Sequence, residues 1–331
     1  MAFNRSGIGE VIKDYLFNEK YQRLPNRGLA RLINKQHPEF TTERLRSSIR
    51  GLRGVNGRLS RIYGSTKFYN QPYDLPPHHT YDSSNFILQG KSILVIQDIH
   101  FPYQDNVALK AMLDWSKKCR PKIDTVLLNG DIVDCYQESI FTKNPKNPSI
   151  KVERECAYDF LEVLQEKIKP EQMFWKLGNH EERLENYVFS KCPELLEEIE
   201  EDGLLSFETI FKSRKYGFKV IRDKRIIKIG DLNVVHGHEF GRGPISPVNP
   251  ARTFFMKAKA STIGGHYHVT SEHSEKTIND KLITCWSSGC LFDLKPLYRP
   301  INGWNHGFSH ILNDIDAFRV SNMRIENGVV Y

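Results

Sequence analysis

Met173-Phe174-Trp175-Lys176-Leu177-Gly178-Asn179-His180-Glu181 decides how this chain folds. A short apolar run stops at a glycine, an Asn and a His stand at its tip, and Glu182-Arg183-Leu184-Glu185-Asn186-Tyr187 starts at once in a helix-like pattern. Four other apolar runs end the same way. Asp98-Ile99-His100 follows the run 92–97, Gly130-Asp131-Ile132-Val133-Asp134 follows 125–129, His236-Gly237-His238 follows 232–235, and Gly265-His266-Tyr267-His268 follows 262–264. Five strand tips that offer Asp, Asn and His point to a metal centre.

Working outward, the strands at 92–96 and 125–128 flank a helix over 107–117, and a longer helix over 152–168 precedes the strand at 172–177. This β-α-β-α-β alternation predicts an α/β sheet covered by helices. Between them, residues 141–150 form a polar Asn/Pro/Lys-rich insertion at the mouth of the expected site. An acidic helix is expected over 193–202. Strands are then expected at 219–222, 225–229, 232–235, 260–264, 281–286 and 309–312, enough for a second sheet on the first. Trp304-Asn305-His306-Gly307-Phe308 reads as a tight turn before the last of these strands.

The amino-terminal part has another character. Residues 1–90 carry 14 of the 47 Lys and Arg but only 7 of the 40 Asp and Glu, so the whole formal excess of +7 lies there and 91–331 is balanced. Ile8, Val11, Ile12, Tyr15 and Leu16 are at helical spacing, as are Leu29, Leu32 and Ile33, and Thr41 is placed to cap a helix running to about Leu52. That last helix carries Arg44, Arg46, Arg50 and Arg53. Short helices joined by a turn, the last studded with Arg, resemble a helix-turn-helix module and imply a nucleic-acid partner, DNA ahead of RNA. The alternative is a helical docking module. The expected organisation is a basic helical domain over 1–60, a Pro/Tyr/Asn-rich linker over 61–90 that includes His78-His79, and a catalytic domain over 91–331.

No run of about 18 apolar residues exists, which argues against a membrane span. The start lacks an apolar signal core, so a cytoplasmic location is expected. The six cysteines form no CxxC pair and read as free thiols. Nothing in the sequence sets an oligomeric state.

Asp98 and His100 are two apart at a strand end, which places both side chains on one face. Gly130 allows a tight exit before Asp131, whose two oxygens suit it to bridge ions, and Asn179 adds a neutral oxygen. The imidazoles of His236, His266 and His268 favour Mn, Fe, Zn or Ni over Mg or Ca. Taken singly, each motif reads more simply as a turn or a surface His. Their joint occurrence after apolar strands reverses that reading.

The ordered set Asp98-x-His100, Gly130-Asp131-x-x-Asp134, Gly178-Asn179-His180-Glu181, His236 and Gly265-His266-x-His268 resembles the calcineurin-like metallophosphoesterase family over residues 91–295. The resemblance implies a four-layer α/β/β/α sandwich of two mixed sheets with two divalent ions at the strand ends, Mn first, then Fe, Zn, Ni or Mg. Asp98, His100, Asp131 and His268 would hold one ion, and Asp131, Asn179, His236 and His266 the other. Two ions about 3.5–4 Å apart clamp a phosphate and ionise a water near neutral pH. His180 would act on the leaving oxygen, with Asp134 and Glu181 orienting it or the ligands. Arg183, Arg242 and His238 are candidate substrate contacts. The protein-phosphatase branch carries Arg-Gly where Cys135-Tyr136 and Lys176-Leu177 stand here, which argues against it. The expected activity is therefore a phosphodiesterase or nuclease on DNA or RNA. The alternatives are a nucleotide phosphatase, a small-molecule phosphodiesterase, or a DNA-binding regulator without catalysis.

Overall fold

Apolar residues four apart build the amino-terminal elements, because that spacing lines one face of a helix. The computed structural model describes residues 6–22, 24–53, 84–199, 203–241, 247–314 and 317–331. It divides the chain into two units, Met1–Asp82 and Ser83–Tyr331. In the first, α1 (Ser6–Phe17) buries Ile8, Ile12 and Leu16, and α2 (Glu19–Gln22) is a single turn. Leu29, Ala30 and Ile33 of α3 (Asn26–Gln36) and Leu45 and Ile49 of α4 (Thr42–Leu52) complete that core. Thr41 caps α4 as expected, its hydroxyl accepting from the Arg44 amide at 3.4 Å.

Three of the four arginines singled out on this helix face solvent to some degree. Arg44 and Arg50 are exposed, and Arg46 is half-buried and pairs with Glu43 at 3.3 Å. Arg53 corrects the expectation. It is buried, and its guanidinium donates to Leu24 O at 2.5 Å, Asn26 Oδ1 at 3.0 Å and Tyr21 O at 3.3 Å. It fastens the end of α4 to the start of α3, and burial lowers its pKa to about 10. Of the expected linker over 61–90, residues 61–83, with His78-His79, lie outside the described residues, and Phe86-Ile87 form a strand rather than irregular chain.

In the second unit, β2 (Ser92–Ile96), β3 (Thr125–Asn129), β4 (Gln172–Lys176) and β5 (Phe218–Ile221) run parallel. Beyond β2 the sheet continues antiparallel through β11 (His306–Asn313), β12 (Phe318–Glu326) and β13 (Val329–Val330), giving the order β13-β12-β11-β2-β3-β4-β5. The second sheet runs β1 (Phe86–Ile87), β6 (Ile227–Ile229), β7 (Leu232–Val234), β8 (Thr262–Gly264), β10 (Leu282–Ser287), β9 (Ser271–Lys276) and mixes both senses.

Period-two alternation sorts the apolar side chains between layers. Ile93, Val95, Leu127 and Phe174 meet Ile229, Val234, Ile263 and Trp286 between the sheets. Leu94, Ile96, Val126, Leu128 and Trp175 face the other way, onto α5 (Asn106–Lys118) and α6 (Ile150–Lys167). On the outer face of the second sheet, Ala251 and Phe254 of α10 (Pro250–Ala258) pack on Ile283 and Cys285, with α7 (Glu182–Lys191), α8 (Phe207–Ile210) and α9 (Ser213–Tyr216) lying between in the chain. The layers are α/β/β/α, as the resemblance implied.

Several elements differ from expectation, among them the unforeseen strands β1, β12 and β13. The acidic stretch is no α-helix but a 3₁₀ run, Pro193–Ile199, broken at Leu195, because its apolar residues form no continuous stripe and Ile199 alone is buried within it. β9 was not foreseen: Ser271–Lys276 is a polar edge strand with no apolar run to announce it.

Register then sets the site. Pairing of Ile96 with Leu128, and of Leu128 with Trp175, brings the carboxyl ends of β2, β3 and β4 side by side, where open parallel sheets bind ligands.

Arg53→Met strands buried carbonyls and is expected to lower the urea unfolding free energy of the amino-terminal unit by about 2–3 kcal/mol. Arg44→Ala should stay within about 0.5 kcal/mol. Similar small losses for both would show that Arg53 is no anchor.

Candidate metal centre

Each candidate ligand stands two to four residues beyond a strand, most of them in backbone that has turned sharply. Asp98, His100, Asp131, His266 and His268 all have φ between 51° and 68°, the left-handed region that side chains rarely enter. Strain of about 1–3 kcal/mol per residue persists only where the surroundings over-determine it, and it gathers at functional sites. The pleat argument for Asp98 and His100 is therefore corrected: both lie past the end of β2, and two left-handed residues, not strand alternation, aim them together.

Backbone hydrogen bonds hold these turns. Asp98 N donates to Gly130 O at 3.1 Å and His100 N to Asp131 O at 3.0 Å, while Gly265 N donates to His236 O at 2.7 Å. A Cβ on Gly130 would stand 2.6 Å from His236 Nδ1, and one on Gly178 would stand 2.3 Å from Asp131 Oδ1. Glycine at these two places lets the strand tips close on one another.

Carboxylates complete the frame. Glu181, fully buried, accepts from Asp131 N at 2.9 Å and Gly178 N at 2.8 Å through Oε2, and from Ile132 N at 2.7 Å through Oε1. Burial and the nearby Asp131 push its pKa up, opposed by these donors. Glu239 does the same for the next turn, accepting from His236 N at 3.0 Å and Gly237 N at 2.6 Å, and pairs with the buried Lys176 at 3.0 Å. Burial favours its neutral form, but Lys176 and the adjacent histidines hold its pKa down to about 2. Glu153 accepts from Cys135 N at 2.6 Å, and burial lifts its pKa to about 8. Neither Glu239 nor Glu153 stood out in the sequence. The signal for Glu239 was Lys176, a cation inside an apolar strand that demands a buried partner.

Within this frame the side chains converge in two groups, Asp98 with His100 and His268, and Asp131 with His236 and His266, while Asp134 and His180 gather beside them around His100. His268 Nε2 is 3.3 Å from Asp98 Oδ1, His236 Nε2 is 3.2 Å from Asp131 Oδ2, and His100 Nε2 is 3.9 Å from both carboxylates. Asp131 divides its oxygens: Oδ1 accepts from His180 N at 2.9 Å, and Oδ2 faces both groups. Asp98 likewise gives Oδ2 to His266 N at 2.9 Å and keeps Oδ1 inward.

The donor set fits divalent cations. Asp98 Oδ1, His100 Nε2, Asn179 Oδ1, His236 Nε2 and both ring nitrogens of His268 are buried with no hydrogen-bond partner among the described residues. His236 Nε2 and His268 Nε2 stand 3.2 and 3.3 Å from carboxylate oxygens without forming a hydrogen bond. Orphaned polar atoms are costly, and so many facing one point call for a ligand. The tautomers agree. His236 Nδ1 sits 2.8 Å from Asn129 O and must donate to it, which leaves Nε2 bare toward the centre. The set holds imidazoles, carboxylates and one amide, the mixture that suits first-row transition ions.

Without cations, protons take over part of their role. Burial would depress the His236 pKa, but Asp131 and Asp98 raise it to about 10. Partial burial and the neighbouring His236 drive the pKa of His266 down to about 3. Asp98 and Asp131 stay below the usual carboxylate range despite burial, held there by His268 and by His180 and His236 respectively.

Asp134 stands beside the centre, 2.8 Å from His180 Nδ1 and 3.3 Å from His100 Nδ1. Burial opposes its charge, and those two histidines hold it ionised. His180 Nε2 faces inward, 3.8 Å from Asp131 Oδ2. Arg183 donates to Asp134 O at 2.7 Å and to His180 Nε2 at 2.9 Å. That second contact belongs to the neutral ring with its proton on Nδ1, since an imidazolium has no lone pair to accept it. Burial and Arg183 favour this neutral form, Asp131 and Asp134 the cation, and the cation gains. His238 Nε2 is 3.2 Å from Glu182 Oε1. Arg242 lies outside the described residues. Trp304 and Phe292 pack edge-on against His268, with ring centres at 4.7 and 4.9 Å, a wall that the sequence reading missed. His306 opens β11 rather than lying in a turn, and its Nε2 meets Phe292 O at 3.0 Å.

Glu181→Gln replaces an acceptor by an amide donor facing N–H groups and should destabilise the unit by about 1–3 kcal/mol in denaturant melts. Unchanged stability would remove Glu181 from the frame. Because the His236 pKa is raised from 6.5 to about 10, its contribution to the ion-free fold is complete below 6.5 and is lost as pH climbs to about 10. His236→Asn should flatten the fall in Tm of EDTA-treated protein across that window, and an undiminished fall would contradict the assignment.

The calcineurin-like phosphoesterase family model matches residues 91–288. The chain is 27% identical over 237 residues to Gene 54 protein of Mycobacterium phage L5, covering 68% of this chain and 90% of that protein. It is 27% identical over 184 residues to Gene 54 protein of Mycobacterium phage D29, covering 54% and 69%. Among solved structures, a Vps29 single mutant from Entamoeba histolytica aligns with TM-score 0.37 and 16% identity over 72% of this chain and 96% of that one. Vacuolar Protein Sorting 29 from Cryptosporidium parvum aligns with TM-score 0.38 and 15% identity over 73% and 95%.

Proposed function

Since the chain belongs to the calcineurin-like phosphoesterase family and is a hydrolase of phosphoester bonds, we propose that its substrate is a phosphodiester in DNA or RNA. The observation that carries this choice is the charge division: the entire +7 excess lies in residues 1–90, and α4 there turns Arg44, Arg46 and Arg50 outward. A basic helical surface attracts a polyanion through its phosphates, whatever the sequence.

Asp98, His100, Asp131 and His268 would hold one ion, and Asp131, Asn179, His236 and His266 the other, with Mn preferred. Bound there, divalent ions neutralise phosphoryl charge and lower the pKa of water. The chain's own groups do the rest. Asp134 holds His180 through Nδ1, so Nε2 is the atom that gives a proton to the leaving oxygen. Glu181 and Glu239 fix the turns so that the ligands need little reorganisation when substrate arrives. Arg183 exchanges its contact with His180 for a substrate phosphate oxygen.

Bis-p-nitrophenyl phosphate, p-nitrophenyl phosphate, a short oligonucleotide and a mononucleotide, each assayed with Mn, test this reading. The diesters should be the better substrates, and His180→Ala should lower kcat on the oligonucleotide by about 10²–10⁴. Replacing Arg44, Arg46 and Arg50 by Ala should flatten the salt dependence of oligonucleotide binding by about one unit of slope per lost phosphate contact. A preference for mononucleotides, with a salt slope untouched by the triple change, would favour a nucleotide phosphatase.

A further inference from the structure

A cavity of about 650 Å³ opens beside Asn179 and His266, and the centre itself does not account for it. One wall is the loop of residues 138–143 and the other is α7. Arg183, Tyr187 and Lys191 are four residues apart, so they form one stripe along that helix and lead away from the centre by roughly 12 Å. Arg183 anchors the near end at His180, and Phe141 faces its guanidinium at 5.9 Å. Phe141 and Tyr187 are 54% and 43% exposed, more than packing requires of large rings. Paired with Glu182, Lys224 completes the rim of the groove. Its acids are largely spent: Glu182 is matched by Lys224 at 3.5 Å and by His238 at 3.2 Å, and burial raises the Glu138 pKa toward the neutral form.

Cation, ring, cation is the order in which a single nucleic-acid strand presents phosphate, base, phosphate. Rings with open faces take up unpaired bases by stacking, and they do so without regard to base identity. A duplex hides those faces within its own stack. We infer that this groove is a subsite for the nucleotide next to the scissile phosphate of a single strand, with the base on Tyr187 or Phe141 and the next phosphate at Lys191. The inference rests on the nucleic-acid reading above and narrows it to unpaired strands. A larger cavity of about 1100 Å³, along β5, holds none of the candidate ligands.

Full-length protein with Mn is assayed on a short thymidine oligonucleotide, on its duplex with the complementary strand, and on bis-p-nitrophenyl phosphate. Tyr187→Ala should raise KM for the single strand about tenfold, the scale of one lost base stack, with kcat little changed. The ratio of single-strand to small-diester kcat/KM should fall by the same factor, and Tyr187→Phe should restore it. Lys191→Ala, a change that removes no ring, should raise the single-strand KM and reduce its salt dependence. Equal losses on both substrates without rescue by Phe would reveal a packing role for Tyr187 and overturn the subsite, as would no loss on either. Wild-type cleavage of duplex as readily as single strand would overturn it too. Wild type that cleaves the small diester but no oligonucleotide would instead sink the nucleic-acid reading itself.

Discussion

The turns that carry the candidate ligands are held by buried carboxylates accepting backbone N–H groups, and the rest of the site depends on that constraint. Glu181 alone gathers amides from two strand tips, those of β3 and β4. Glu239 gathers the amides at the tip of β7, and its charge is balanced by Lys176 from β4. A carboxylate accepts in several directions at once and donates in none when ionised, so it can join turns whose own secondary structure has ended. Asp98 and Asp131 extend the device, since each gives one oxygen to a backbone amide and turns the other inward.

The frame makes affordable what would otherwise be unstable. Five candidate ligands in left-handed backbone, glycines with no room for a Cβ, and several unpaired donors and acceptors around one point would each weaken an ordinary fold. In the ion-free chain protons answer the carboxylates, foremost on His236, whose pKa rises for that reason. Cations bound at the same atoms would displace those protons, so metal uptake and proton release are linked.

Much of this was legible from residue order. Apolar runs at 92–96, 125–128 and 172–177 became β2, β3 and β4, since a strand buried on both faces must be apolar throughout. Thr41 was readable as a cap because capping is local. Arg53 was not readable: its spacing matched the exposed arginines, and only the packing of α3 against α4 brings it within reach of Tyr21 and Leu24 carbonyls. β9 escaped notice because a polar edge strand has no apolar signature.

The amino-acid sequence by itself determined the order of the elements, the residue types at each strand tip and the concentration of positive charge in the first 90 residues. These follow from local periodicity, from the chemistry of side chains and from counting, none of which needs a partner distant in the chain. Only the tertiary structure decided which oxygen of Asp131 faces the centre, which nitrogen of His236 is bare, and that Glu239 and Lys176 belong to the site. Those are consequences of two sheets packing face to face with their strand ends at one rim, where residues far apart in the chain come within hydrogen-bond distance.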